Sequence, residues 1–191
     1  LDDDCDGDVD EQDQPSSGDW PALFEGTNAE VYLQHIALNS NGLLHALGSY
    51  DGKPDFDPAP DTDEKISAEG STEDIFIVQL DQSQALEWIA GLTTETTVVA
   101  HDLAVDPSDS ILVAGSYDNV LDFDMNIPTY VVQSNGGMDG FAGMYGSDGT
   151  LTWGRSFGGS GDDTCNTITS LNGESIWIGG RYTDDHDFDP G

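Results

Sequence analysis

The sequence has very few cationic residues. Its 191 residues include 4 Lys and Arg against 38 Asp and Glu, which gives a formal net charge of −34. Such a chain lacks the basic patch that binds nucleic-acid phosphates or an anionic membrane surface. We therefore expect no nucleic-acid partner. Repulsion among so many carboxylates opposes a compact state, and bound divalent cations or a salty medium would relieve it.

Long apolar runs, numerous cysteines and helical periodicity are also missing. With no run of about 18 apolar residues, we expect no insertion into a membrane. Two cysteines, Cys5 and Cys165, do not make a disulfide-rich scaffold. No signal peptide is visible, and because the sequence starts at Leu1 within a motif, we expect a processed or trimmed N-terminus. The 23 glycines and 8 prolines, with short β-branched and aromatic runs, indicate turn-rich β structure.

A repeat of about 65 residues organises the sequence. A Gly-x-Tyr motif begins at Gly48, Gly115 and Gly180, so successive copies are 67 and 65 residues apart. The triplet Asp-Phe-Asp follows with the same offsets, centred on Phe56, Phe123 and Phe188. Two further pairs of landmarks, Asp74 with Asp139 and Trp88 with Trp153, are each 65 residues apart. Four landmarks with one spacing exclude a chance match.

Each repeat contains four short strand-like segments. The first complete copy reads HIALNS, LLHALGSY, DIFIVQL and ALEWIAGL, and the second reads HDLAVD, ILVAGSY, DGFAGMYG and LTWGRSF. The segments are bounded by turn sequences such as SNGL and SDGT, which favour tight hairpins. Four strands per repeat in an all-β chain are typical of β-propeller blades, with a solenoid as the alternative.

The phase of the repeat predicts the domain organisation. We expect an acidic calcium-binding-like loop at residues 1–14, a linker at 15–18 and repeats over 19–191. Within the repeats, residues 19–25 are predicted to form the last strand of one blade. Residues 33–92 and 99–157 then form complete blades, and residues 166–191 half a blade. The prediction is a partial propeller, belonging to a longer protein or completed by several chains.

The motifs resemble the SBBP (seven-bladed β-propeller) repeats of large secreted bacterial proteins. The matching stretches are GSYDGKPDFDP, EDIFIVQLD, ALEW, GSYDNVLDFD, TLTWGRSFGGSGDD and GRYTDDHDFDPG, within residues 19–191. Two stretches depart from the pattern, DFDMN in the second copy and GLTTET in the first. The resemblance implies a propeller on the cell exterior and no defined catalytic activity.

The N-terminal sequence LDDDCDGDVDEQDQ has the spacing of a calcium loop. Alternate oxygens converge on one ion, a central glycine allows the sharp turn, and a final carboxylate closes the shell. The predicted ligands are Asp2, Asp4, Asp6, Asp8 through its carbonyl, Asp10 and Asp13. A solvated acidic tail is the alternative.

This loop is similar to thrombospondin type 3 loops and to the MopE-type metal-binding motif of bacterial surface proteins. The second resemblance implies that Cys5 pairs with a cysteine a few residues upstream, which this chain lacks. That family is named for copper, but hard carboxylate ligands suit Ca²⁺ better.

The Asp-Phe-Asp triplets are the second candidate metal sites. In an extended segment the two carboxylates point one way and the phenylalanine the other, so Phe56 would anchor the loop. The predicted Ca²⁺ ligands are Asp55, Asp57, Asp122, Asp124, Asp187 and Asp189, with Asp51, Asp118 and Asp184 or Asp185 as further candidates. Alternatively, these side chains accept hydrogen bonds from backbone amides and fix a turn.

Other residue patterns carry weaker signals. His35 and His101 share nearly the same repeat phase, which suggests a structural place, and the repeated tryptophans are expected in the core. Asp162 and Asp163 could act as paired carboxylates in glycoside chemistry, but their counterparts in the first copy are threonines.

The sequence therefore predicts an extracellular, calcium-binding β-propeller without enzymatic activity. It would be a scaffold or binding surface in a bacterial secreted or cell-surface protein. Its partner would be a protein or glycan ligand, or other copies through self-assembly. A propeller hydrolase or lyase acting on polysaccharide and a copper-handling surface protein remain alternatives.

Overall fold

The computed structural model describes residues 25–26, 29–56, 73–124, 130–171 and 175–183, and all regular structure there is β-strand. The strands are β1 (Glu25–Gly26), β2 (Glu30–Leu38), β3 (Leu44–Asp51), β4 (Pro54–Asp55), β5 (Asp74–Leu80), β6 (Leu86–Leu92), β7 (Val98–Val105), β8 (Ile111–Tyr117), β9 (Val120–Asp122), β10 (Val131–Gln133), β11 (Asp139–Tyr145), β12 (Leu151–Phe157), β13 (Thr164–Ser170) and β14 (Ile176–Arg181). Across these ranges, no helix suited to crossing a membrane was found.

Two four-stranded antiparallel sheets form the body of the fold. The first sheet has the order β2-β3-β5-β6 and the second β7-β8-β11-β12, while β13 and β14 pair as a third sheet. The short ribbons β1–β4 and β9–β10 lie beside them. The predicted all-β class and the four antiparallel strands per repeat are confirmed. The first strands begin earlier than predicted, at Glu30 and Val98.

The tight hairpins of both sheets share one turn geometry. In each, the amide of the first turn residue bonds to the carbonyl four residues on, as from Asn39 to Leu43 and from Gly146 to Thr150. The fourth residue has a positive φ, which Gly42 and Gly149 adopt without strain. The hairpins predicted at SNGL and SDGT are confirmed.

Each first strand carries a β-bulge opposite the glycine of the Gly-x-Tyr motif. The register shifts fall between Leu33 and His35, between Ala100 and Asp102, and between Cys165 and Thr167. A Cβ on the opposing glycine would lie about 2 Å from a carbonyl oxygen of the first strand in all three sheets. The repeat therefore preserves a backbone irregularity as well as strand order.

The apolar core lies between successive sheets. We call the face of a sheet that points toward the preceding sheet its upstream face and the opposite face its downstream face. One cluster joins Leu47 on the downstream face of the first sheet to Leu103 on the upstream face of the second. Another joins Leu112 on the downstream face of the second sheet to Ile168 of the third. The sheets are thus stacked face to face in chain order.

Candidate functional site

The second Asp-Phe-Asp triplet joins two repeats through its backbone. Asp122 ends β9, and its amide and carbonyl exchange hydrogen bonds of 2.9 and 3.0 Å with Thr93, which follows the last strand of the first sheet. In the first repeat, β4 residue Asp55 pairs with Glu25 in the same way. The first aspartate of the triplet therefore fastens its repeat to the chain that precedes it.

The central phenylalanine of each described triplet is completely buried. Phe123 packs edge-on against Phe141 and Tyr130, with ring centroids 5.8 and 6.1 Å apart. Its carbonyl oxygen accepts a 2.7 Å hydrogen bond from the hydroxyl of Tyr145. A Cβ on Gly154 would come within 2.6 Å of the Phe123 ring, so this glycine makes room for it.

In the first repeat the burial is the same but the neighbours differ. Phe56 lies 5.6 Å from Tyr50 and 4.8 Å from Phe76 between ring centroids. The prediction that Phe56 anchors its loop is confirmed, and it holds for Phe123 too.

The carboxylate of Asp122 is engaged in a turn. Its Oδ1 accepts a 3.0 Å hydrogen bond from the backbone amide of Asp124. Desolvation by burial raises the pKa of the Asp122 carboxyl, and the nearby charge of Asp124 raises it further, while the amide bond opposes both effects. The carboxyls of Asp122 and Asp124 are therefore close enough to repel each other.

The donor chemistry of this pair suits Ca²⁺, since hard carboxylate oxygens are its preferred ligands. Over the described ranges, however, no group of three or more His, Cys, Asp or Glu side chains is placed to hold an ion. Asp122 and Asp124 would supply two ligands of a larger shell. The remaining predicted ligands lie outside the described residues: Asp2, Asp4, Asp6, Asp8, Asp10, Asp13, Asp57, Asp187 and Asp189.

Several other aspartates hold backbone amides in place. Asp74 and Asp139, the landmark pair of the repeat, are fully buried and accept bonds from the amides of Thr94 and Asn135. Asp81 and Asp106 each accept two amide bonds within their hairpin turns. Much of the acidity of the chain therefore has a structural use in turns and loops.

The paired carboxylates considered for glycoside chemistry are held in the same manner. Asp163 is fully buried and accepts bonds from the amides of Gly159 and Thr183 at 2.8 and 2.6 Å. Asp162 accepts a 3.1 Å bond from the amide of Met138. Both carboxylates thus fix the loop between β12 and β13.

A line of polar side chains crosses the first strands of the three sheets. Asp102 on β7 accepts bonds from the Thr167 hydroxyl at 2.8 Å and from the Ile168 amide at 2.9 Å, both on β13. Its other oxygen lies 3.9 Å from Nδ1 of His35 on β2. His35, Asp102 and Thr167 occupy the same position of the repeat, one residue after the bulge.

The second histidine, His101, is the bulge residue itself. Its Nε2 lies 3.0 Å from the Ser116 hydroxyl, and desolvation, followed by the nearby His35, lowers its pKa. Sequence analysis missed Asp102; its signal was the acidic residue in phase with His35.

The tryptophans connect sheets, as the expectation of a core position required. Trp88 donates from Nε1 to the carbonyl of Ser147 in the second sheet and lies against Gly149 there. Trp153 packs into the cluster between the second and third sheets, with its Nε1 3.2 Å from Sδ of Met144. Trp20 lies outside the described residues.

Cys165 is buried between the second and third sheets. Its sulfur lies 3.7 Å from the Tyr182 hydroxyl, and desolvation raises the pKa of the thiol to about 11. A thiol that stays protonated is a poor ligand for a soft metal.

A scan against protein-family models and a search of curated proteins each found no match to this chain. The resemblance to SBBP repeats therefore rests on the motifs themselves.

Proposed function

We propose that the chain forms consecutive blades of a calcium-stabilised β-propeller that acts as a rigid, non-enzymatic scaffold or binding surface outside a bacterial cell. The observation that carries the proposal is the in-phase contact of first strands, in which Asp102 on β7 reaches Thr167 on β13 and lies near His35 on β2. In a propeller the blades surround a central channel, so strands at its centre are close neighbours in this way.

The mode of sheet packing supports the same architecture. Each sheet buries one face against the preceding sheet, and the Asp-Phe-Asp loop adds a backbone pair to the preceding repeat at Thr93 and Asp122. Contacts of this kind act only between neighbouring repeats, so rigidity grows with each repeat added. A rigid array whose loops differ in sequence is suited to presenting a binding surface.

Calcium enters the proposal through charge. The carboxyls of Asp122 and Asp124 raise each other's cost of ionisation at a partly buried position, and the whole chain carries −34. A bound divalent cation would remove both penalties. The extracellular location follows from the resemblance to secreted repeats, and the strong negative charge favours a protein or glycan ligand over any polyanion.

A calcium-dependent melt tests the proposal. The chain is stripped with EDTA and its thermal unfolding is followed with Ca²⁺, or with NaCl at equal ionic strength. We expect Ca²⁺ to raise the melting temperature well beyond the NaCl effect, because an ion that binds only the folded state stabilises it. Asp124→Asn should reduce that response.

Asp148→Asn provides the matched control. Asp148 is exposed and accepts bonds only from Thr150 in the β11–β12 hairpin among the contacts described, so its loss should leave the calcium response intact. Equal responses to Ca²⁺ and NaCl would overturn the calcium part of the proposal and assign the triplets to turn formation.

A further inference from the structure

The upstream face of the first sheet exposes an apolar row on β2. Leu33, Ile36 and Leu38 have 52%, 59% and 65% of their surface accessible. Register with β3 places all three on one face, because Ile36 is opposite Ala46 and Leu38 is opposite Leu44. Three large aliphatic side chains in a row on one strand are an unusual exposure for a highly charged chain.

The same repeat positions are covered in the other two sheets. Ala100 and Leu103 of the second sheet are 7% and 8% exposed, because the first sheet packs on them. Cys165 and Ile168 of the third sheet are 0% and 2% exposed beneath the second sheet. The apolar row on β2 therefore occupies the position that a preceding sheet covers elsewhere in the molecule.

The complementary half of this interface is open on the third sheet. Trp177 on β14 is 67% exposed, whereas its counterparts on the downstream faces of the other sheets, Leu112 and His45, are fully buried. Leu112 packs in one cluster with Ile168, the counterpart of Ile36. An interface present twice within the chain thus has its two halves exposed at opposite ends of the stack.

We propose that the apolar row on β2 is a docking surface for the downstream face of the third sheet of a second copy of this chain. Trp177 of one copy would lie against Ile36 of the next, as Leu112 lies against Ile168 within the chain. The proposal rests on the equivalence of blades in the proposed function. The contact is head to tail, so it leads to rings or open chains of copies.

Light scattering coupled to size-exclusion chromatography tests this docking. Measurements over a concentration series in 1 M NaCl limit the repulsion between acidic copies, because the Debye length is then about 3 Å. The wild-type chain should form dimers or larger species as its concentration rises. Ile36→Asp and Trp177→Asp should each remain monomeric.

Mixing the two variants is the decisive step. Each retains the half of the interface that the other has lost, so an equimolar mixture should form a dimer and nothing larger. Val131→Asp is the control: Val131 is 52% exposed on β10, outside both faces, and the substitution adds the same charge. This control should assemble like the wild type.

Circular dichroism of each variant confirms that the monomers are folded. A monomeric wild type throughout the series would overturn the docking, as would a mixture of variants that stays monomeric. The calcium response, measured on the folded Ile36→Asp monomer, reports on the proposed function separately from assembly.

Discussion

The two complete sheets anchor the same Asp-Phe-Asp loop with different neighbours. In the first sheet, Phe56 packs into an aromatic group with Tyr50 and Phe76. In the second, the loop of Phe123 also has a polar fastening, because its carbonyl oxygen accepts a bond from the Tyr145 hydroxyl. The first sheet has a leucine at the position of Tyr145. What the repeats share is a buried ring and a backbone pairing, while the surrounding side chains vary.

A further difference separates the polar content of the two sheets. On the downstream face of the first sheet, buried His45 and Gln79 form a 2.9 Å hydrogen bond. The equivalent neighbours on the second sheet are Leu112 and Met144. A backbone of one geometry therefore accepts either a polar or an apolar pair between its sheets, provided that a polar pair satisfies itself.

The largest effect is expected from removing the buried rings. Phe56→Ala and Phe123→Ala should each lower the free energy of unfolding by about 3–5 kcal/mol, through lost burial and the cavity left behind. Denaturant titration of both variants measures the loss, with Val131→Ala as an exposed control. If only one variant were destabilised, the two triplets would not be equivalent anchors.

The glycines opposite the bulges come next. A Cβ at Gly48 or Gly115 would lie 2.1 Å from a carbonyl oxygen of the first strand and within 2.7 Å of the Phe76 or Phe141 ring. Gly48→Ala and Gly115→Ala should each cost about 1–3 kcal/mol or more, because the neighbouring backbone has to move.

Thermal melts of these variants compare the two sheets directly. Gly179→Ala is the control, since its Cβ would meet only the Thr167 methyl, at 2.9 Å. Stable folding of Gly48→Ala beside unfolding of Gly115→Ala would show that the bulge is dispensable in the first sheet.

These bulges mark the limit of what the sequence predicts. Spacing of the landmarks gave the four strands of each sheet, and alternation around Phe56 gave its burial. The same alternation placed the starts of β2 and β7 too late, because Gln34 and His101 are extra residues that reverse the side-chain phase within the strand. Periodicity assigns such a strand only from the bulge onward.

The candidate site was predictable in part for a similar reason. Repetition identified the carboxylates, but it did not distinguish an aspartate that binds a cation from one that binds an amide. Asp74 and Asp139 are repeated as faithfully as the triplets, and the structure has both accepting backbone hydrogen bonds. Partners of this kind depend on loop conformation, which local sequence does not fix.

The contact between the second and third sheets through Asp102 is a third point of comparison. Asp102→Ala should cost about 1–3 kcal/mol, because the Ile168 amide and the Thr167 hydroxyl lose their acceptor. Amide hydrogen exchange should show faster exchange in β13 than in β3 or β5. A double-mutant cycle with Thr167→Val isolates the hydroxyl bond, and purely additive effects would contradict the pairing.

The smallest effect is expected from acid, and it distinguishes the two sheets through His45. Desolvation lowers the pKa of His45 below its usual 6.5, and the hydrogen bond to Gln79 only partly offsets this. Below pH 6.5 the unfolded chain therefore binds a proton that the folded chain does not. Stability should fall as the pH drops from 6.5 toward the lower folded-state pKa, and the His45 contribution should be constant above that range.

Replacing the pair with its counterpart from the second sheet tests this assignment. The double substitution His45→Leu and Gln79→Met removes the titrating group without leaving a lone acceptor, so melting temperatures between pH 7 and pH 5 should fall less steeply than in the wild type. His101, whose pKa is also lowered by desolvation, is retained in both proteins. The difference between the two pH profiles therefore belongs to His45, and identical profiles would show that this buried histidine does not couple folding to pH.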